Sequence, residues 1–388
     1  MATNQRSKNY LGSLVGLENT PGETNPLNIV QVCSARNSTY GAVSSMLTLS
    51  HELRAVGNNV SFMTFKNRGL GEYVRTLGYP QSEVTVRTKI DPLAIIQMAR
   101  EFKRLNADIV HCHLSTSTVN GALAARLAKL PAIATVHGLS GKLSFVPAHH
   151  LICVSSDVRR HMIAQGVDAA KLSIIHNGVV SIDNPTKADA RAKLGIESGV
   201  PLLGTTARLT PMKGVNHALH AFHQILADVP TAIFAIFGDG ECRAEYEELA
   251  TNLKIRKSVR FYGYREDVRQ LLPALDAFLF PTLREAMGIA AVEAMAAGVP
   301  VVSTDVGGLP EVVIEGTGYL VGPGDSIAMA EAATSLLRNH ELRKSLGARA
   351  HTWVGEEFTA SRMASKTTQV YRTLIAAKSL SHTNRNSS

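Results

Sequence analysis

The feature that most constrains this chain is an alternation of short β-rich apolar runs with longer helical stretches, gone through twice. In the first half, Asn28–Cys33, Asn59–Phe65, Val84–Arg87, Ile109–His113, Ala132–His137, Leu151–Val154 and Leu172–Ile175 read as strands. Val43–Val56, Pro92–Leu105 and Thr118–Leu127 read as helices between them. In the second half the strands read Leu202–Ala207, Thr231–Phe237, Val259–Tyr262, Ala277–Phe280 and Pro300–Ser303. Its helices include Gly214–Leu226, Glu241–Leu253, Val268–Leu275 and Gly288–Ala297. Strands that alternate with helices pair in parallel, and the crossovers lay the helices on both faces of the sheet. The expected class is α/β, with two doubly wound, Rossmann-like domains.

A length of 388 residues suits two domains. Asn184, Pro185, Gly195 and Gly199 interrupt the pattern and mark the boundary. The expected organisation is a flexible tail at 1–26 and a first domain at 27–183. A linker at 184–198 and a second domain at 199–359 follow. A helix at 360–378 crosses back to the first domain, and a loose tail closes the chain at 379–388. Two open sheets of this kind take ligands at the carboxyl ends of their strands, in the cleft where they face each other.

Composition narrows the function classes. Apolar residues make up 45% and charged residues 19%, a globular balance. The longest apolar run, Ala232–Phe237, is far short of the ~20 residues of a membrane span. The polar start has no cleavage-type signal; its short stretch Leu11–Leu17 contains Gly and Ser. Four scattered cysteines, with no CxxC pair, point away from a zinc knuckle or disulfide framework and toward a reducing cytoplasm. Through Asp183 there are 18 Lys and Arg against 11 Asp and Glu, so most of the net +8 lies in the first half. Such an excess suits an anionic membrane surface or a phosphorylated partner. Aromatics at 5% and no basic-aromatic stripe speak against nucleic acid.

The densest stretch of candidates is PTLREAMGIAAVEAMAAGVPVVSTDVGGLPEVV, Pro281–Val313. Glu285 lies in the loop before a helix and Glu293 lies more than a turn inside it. Their eight-residue spacing corresponds to about 12 Å if mostly helical. Between them Ala286, Met287, Gly288 and Ile289 bring the free N–H groups of the helix start, which favour an anion. A ligand with hydroxyls at both ends and phosphate in the middle fits this layout.

Other candidates follow strand ends. Arg208 and Lys213, in ARLTPMKG, are a guanidinium and an ammonium suited to a diphosphate. Gly238 and Gly240, in FGDGECR, read as a tight turn with ligand contact. Tyr264 and Arg265 follow Tyr262–Gly263. Gly41, in SARNSTYGAVSSM, lets a loop pass close to phosphate. His137 ends a strand. His111 and His113 alternate on one face of another, with no third ligand evident for a metal.

Glu285 and Glu293 with AMAAGVPVVSTDVGGLPEVV resemble the donor-site signature of the GT-B retaining glycosyltransferases of family 4 (glycosyl transferases group 1). The resemblance covers roughly Asn28–Leu374 and is stronger in the second half. It implies transfer of a hexosyl group from a UDP- or GDP-sugar to an acceptor, with retention of anomeric configuration and no separate cofactor. On this likeness Arg208 and Lys213 hold the donor phosphates, and His137 stands beside the transferred sugar. The backbone near Tyr264 and Arg265 edges the nucleotide base, and His113 lies on the acceptor side. Three positions depart from the family's usual pattern. Tyr40–Gly41–Ala42 stands where two glycines are frequent, Ala286–Met287 where Gly-Phe is common, and Val180 where an acidic residue is usual.

The chain holds no Asp-x-Asp, the carboxylate pair that usually carries a metal-bound diphosphate. Metal-independent transfer is the expectation. The expected acceptor is a lipid-linked or cell-envelope glycan, a glycolipid or a small molecule, taken in the cytoplasm or on the inner face of the membrane. Two alternatives share the architecture: a nucleotide-sugar epimerase, and a non-catalytic binding partner in a glycan assembly complex.

Overall fold

A computed structural model describes residues 25–36, 41–180 and 185–386, the last six as backbone only. The tail expected at 1–26 therefore lies almost wholly outside the described residues. The chain forms two compact units: residues through His176 together with those from Ala360 onward, and Asn177–Thr359.

The first unit holds seven strands: β1 (Asn28–Cys33), β2 (Asn59–Phe65), β3 (Gln81–Val84), β4 (Ile109–His113), β5 (Ala132–Val136), β6 (His150–Cys153) and β7 (Leu172–Ile174). They form one parallel sheet in the order β3-β2-β1-β4-β5-β6-β7. Apolar side chains of one face, including Ile29, Ile109, Ile133 and Ile152, pack under Met46 and Leu49 of the helix Gly41–Ala55 and Tyr371 of the helix Ala360–Asn386. On the other side the helix Ser115–Leu127 is built of small residues. A Cβ on its Gly121 would stand 2.8 Å from Cys112 Sγ, so glycine permits the close approach.

The second unit holds β8 (Leu202–Thr206), β9 (Ile233–Phe237), β10 (Val259–Gly263), β11 (Ala277–Phe280), β12 (Val301–Thr304) and β13 (Gly318–Val321), in the parallel order β10-β9-β8-β11-β12-β13. Its core joins Leu203, Phe222, Phe234, Leu279 and Leu336, all fully buried. Each such side chain contributes about 1.5–3 kcal/mol by leaving water. Both sheets place the first strand of their unit third in order, with the chain winding outward on either side of it, the doubly wound arrangement.

Three expectations change. The strand expected at Val84–Arg87 lies at Gln81–Val84, a polar edge strand whose pattern carries little alternation. The segment 184–198 contains the helix Lys187–Leu194, and it belongs to the second unit. Arg191 anchors it, donating to Asp276 Oδ2 at 2.9 Å and to the carbonyl of Ala274 at 3.0 Å. The last helix continues through the segment read as a loose tail, to Asn386. β13 and the helices Ser326–Arg338 and His340–Glu357 complete the second unit.

Candidate functional site

In the second unit, three strand ends bring the candidate residues together. β8 runs into a short 3-10 turn, Pro211–Lys213, and Gly214 then starts the helix Val215–Asp228. A Cβ on Gly214 would meet the carbonyl oxygen of Pro281 at 2.1 Å, so this loop presses directly on the end of β11. The amide of Leu283 donates to the carbonyl of Met212 at 2.9 Å and fastens the two loops. Lys213 Nζ consequently lies 2.6 Å from Glu285 Oε2. Glu285 Oε1 accepts the amide of Ala286 at 3.0 Å. A third loop closes in behind: a Cβ on Gly307 would lie 1.7 Å from the carbonyl oxygen of Glu285.

The helix that follows is shorter than its sequence suggests, Ile289–Ala296, with Gly288 at its start in the left-handed region. Residues 285–288 are loop, so the 12 Å helical spacing of the two glutamates does not apply as reckoned. Met287 is buried and its Sδ accepts the amide of Asn177. Ala286 and Ile289 are half-buried beside the helix start. The first amides of the helix have no partners within it.

Glu293 projects from the middle of this helix. Its Oε1 accepts Arg269 Nε at 2.7 Å and pairs with Arg269 Nη2 at 2.6 Å. Burial holds the carboxyl above the ordinary carboxylate range even though Arg269 pulls the other way. Both residues line a cavity of about 140 Å³ inside the second unit, with Val179, His351 and Thr359 on other walls. Arg269 was not among the sequence candidates. Its only signal is a basic residue after β10, with nothing to connect it to Glu293 24 positions away.

Arg208 is exposed and makes no ion pair among the described residues. Its neighbours are fixed by crossing backbone. A Cβ on Gly238 would stand 1.9 Å from the carbonyl oxygen of Ala207, and one on Gly240 2.3 Å from that of Leu209. Both glycines are therefore explained by this loop crossing alone. Tyr264 is 57% exposed, and Arg265 is held by Asp267 at 2.7 Å.

In the first unit, His137 follows β5 and is partly exposed. His113 is 1% exposed. Its Nδ1 lies 3.0 Å from His137 Nε2, and its Nε2 lies 2.8 Å from Gln31 Oε1. This corrects the expectation of His113 on the acceptor side: it lies behind His137, with both ring nitrogens engaged. His111 is likewise buried, between Tyr371 Oη at 2.6 Å and Thr135 Oγ1 at 2.7 Å. Burial pushes the pKa of His137 down to about 4 and that of His111 to about 3. Gly41 opens its helix, and residues 37–40 before it lie outside the described residues. Among the described residues no group of three or more His, Cys, Asp or Glu could hold a metal ion. No described helix is long and apolar enough to cross a membrane.

Two family models match the chain in succession: Glycosyltransferase Family 4 over residues 39–181 and Glycosyl transferases group 1 over residues 186–353. Phosphatidyl-myo-inositol mannosyltransferase of Mycobacterium leprae is 30% identical over 383 residues, 91% of this chain and 98% of that protein. N-acetyl-alpha-D-glucosaminyl L-malate synthase of Bacillus anthracis is 34% identical over 182 residues, 47% of this chain and 48% of its own length. The match thus spans about half of that relative. Among solved structures, HepE of Anabaena in complex with UDP-glucose superposes with a TM-score of 0.79 at 21% identity, covering 89% of this chain and 99% of that one. Two doubly wound units, the carboxylate-bearing helix start and a full-length relative converge on one conclusion: the chain belongs to the group 1 glycosyltransferases and has their GT-B fold.

Proposed function

We propose that this glycosyltransferase moves a hexosyl group from a UDP- or GDP-sugar to a lipid-linked or cell-envelope acceptor, with retention and without a metal ion. The observation that carries the reading is the Lys213–Glu285 pair, set in front of a helix start whose next turns bear Glu293. An ammonium has three N–H donors. With one given to Glu285, two remain for phosphate oxygens. Arg208 and the amides around Met287–Ile289 add positive potential to the same end of the sheet. Charge that builds on the departing nucleoside diphosphate is met there by groups already in place.

Glu293, held by Arg269 through Oε1, keeps Oε2 for a ribose hydroxyl, and Glu285 takes a hydroxyl of the sugar. In the first unit, His137 is the group offered to a substrate hydroxyl. Retention requires the acceptor to attack from the face the diphosphate leaves, with a phosphate oxygen accepting the acceptor's proton. Names among the relatives support a nucleotide-linked donor and an envelope acceptor: UDP-glucose is bound by the Anabaena protein, and phosphatidyl-myo-inositol is mannosylated by the mycobacterial one. Attachment to an anionic membrane surface is supported by the basic first half and by Leu143, 76% exposed, beside Lys142.

The test is a thermal-shift panel of UDP-glucose, UDP-N-acetylglucosamine, UDP-galactose and GDP-mannose in excess chelator, on wild type, Glu293→Ala and Arg208→Ala. A ligand that binds only the folded state raises the midpoint. One donor shifting wild type and neither variant is the expected result. No shift from any donor without added metal ion would overturn the metal-free donor site.

A further inference from the structure

The polar groups on the buried face of the first sheet form a connected chain rather than separate contacts. Gln31 of β1, His111 and His113 of β4 and Thr135 of β5 lie among the isoleucines of that face. The His111 and His113 rings are 4.3 Å apart, and those of His113 and His137 are stacked at 5.3 Å. Gln31 is fully buried.

Proton positions follow from what each atom can do. Gln31 Oε1 only accepts, so His113 Nε2, 2.8 Å away, carries a hydrogen. A neutral imidazole has one N–H, so His113 Nδ1 is a lone pair. The 3.0 Å contact to His137 is then supplied by His137 Nε2–H. In a neutral His137 the remaining nitrogen, Nδ1, is bare, and it has no protein partner among the described residues. Burial keeps all three rings neutral at ordinary pH.

The chain continues past His113 to His111, whose Nδ1 lies 2.6 Å from the Tyr371 hydroxyl of the C-terminal helix. Gln31 Nε2 reaches no hydrogen-bond partner in the structure. A buried donor left unsatisfied is costly, on the order of 1–3 kcal/mol.

We infer that Gln31 and His113 are positioning residues that hold His137 as its Nε2–H tautomer, which leaves Nδ1 to accept a hydrogen bond from a sugar hydroxyl of a bound substrate. The positioning is a property of the protein alone. The sugar contact rests on the function proposed above. With the Gln31 amide reversed, every donor and acceptor from Gln31 to His137 reverses, and His137 offers Nδ1–H instead.

The experiment is ring-nitrogen NMR on the full chain labelled with ¹⁵N-histidine, without ligand, for wild type, Gln31→Met and His113→Phe. Wild-type His137 is expected to show a protonated Nε2 and an unprotonated Nδ1. Gln31→Met matches the volume and removes the acceptor. His137 is then expected to lose its single tautomer, and kcat to fall roughly tenfold, the scale seen for outer partners of metal-bound histidines. An Nδ1–H tautomer in wild type, or an unaltered His137 spectrum in a folded Gln31→Met protein, overturns the positioning. Full transfer by His137→Ala would instead overturn the sugar contact, so the two failures are read separately.

Discussion

Lys213 Nζ lies 2.6 Å from Glu285 Oε2, a contact between the loop after β8 and the loop after β11. The carboxylate thus positions the ammonium, whose side chain keeps 27% of its surface exposed. Lys213→Ala is expected to lower kcat about 10²–10³-fold, the scale for losing one preorganised group that meets developing charge. The midpoint of unfolding should stay close to wild type, because a partly exposed ion pair adds little stability. Steady-state rates of nucleotide release and a melting curve check both halves.

Glu293 gives a stability signature with a fixed sign. Its folded carboxyl keeps its proton to a higher pH than the ordinary 4.5 because burial outweighs Arg269. A raised acid favours the folded state below its unfolded pKa, and that gain is lost as pH climbs through the folded value. The stability of wild type relative to Glu293→Gln should therefore fall as pH rises above the ordinary carboxylate value of 4.5. A difference that grew with pH would show Arg269 to be the stronger influence.

The histidines act in the opposite direction. His111 and His137 titrate at about 3 and about 4 when folded, against 6.5 for a free ring. Their contribution is complete above 6.5 and is lost as pH falls from there toward 4. At about pH 5 each neutral ring should cost the fold about 2 kcal/mol relative to neutral pH. Urea midpoints between these pH values measure it, and His111→Gln should flatten the slope.

Asp276 secures the segment that leads into the second unit. It accepts Arg191 Nη2 at 2.9 Å, Lys187 Nζ at 2.6 Å and the amide of Leu202 at 2.8 Å. Arg191 and Asp276 side chains are each only 8% exposed. Asp276→Ala leaves a buried guanidinium unpaired and is expected to destabilise the second unit by about 3–5 kcal/mol. Denaturant unfolding followed at the single tryptophan, Trp353 of that unit, reads the loss.

Near-neighbour physics wrote much of this protein into its sequence. Alternating apolar runs placed β1, β2, β4 and β11 to the residue, and Gly288 and Gly298 bracketed the helix that bears Glu293. The edge strands β3 and β13 escaped, because QSEV and GYLV are short and partly exposed and carry no periodic signal. Lys213 and Glu285 were legible as separate candidates. Their contact across 72 positions, like that of His113 with Gln31 across 82, exists only because the order of strands sets those loops side by side. Residue type, period and spacing are properties of a short stretch of chain. Which charge meets which carboxylate, and which buried ring keeps which proton, follow from long-range packing, and these the tertiary structure decided.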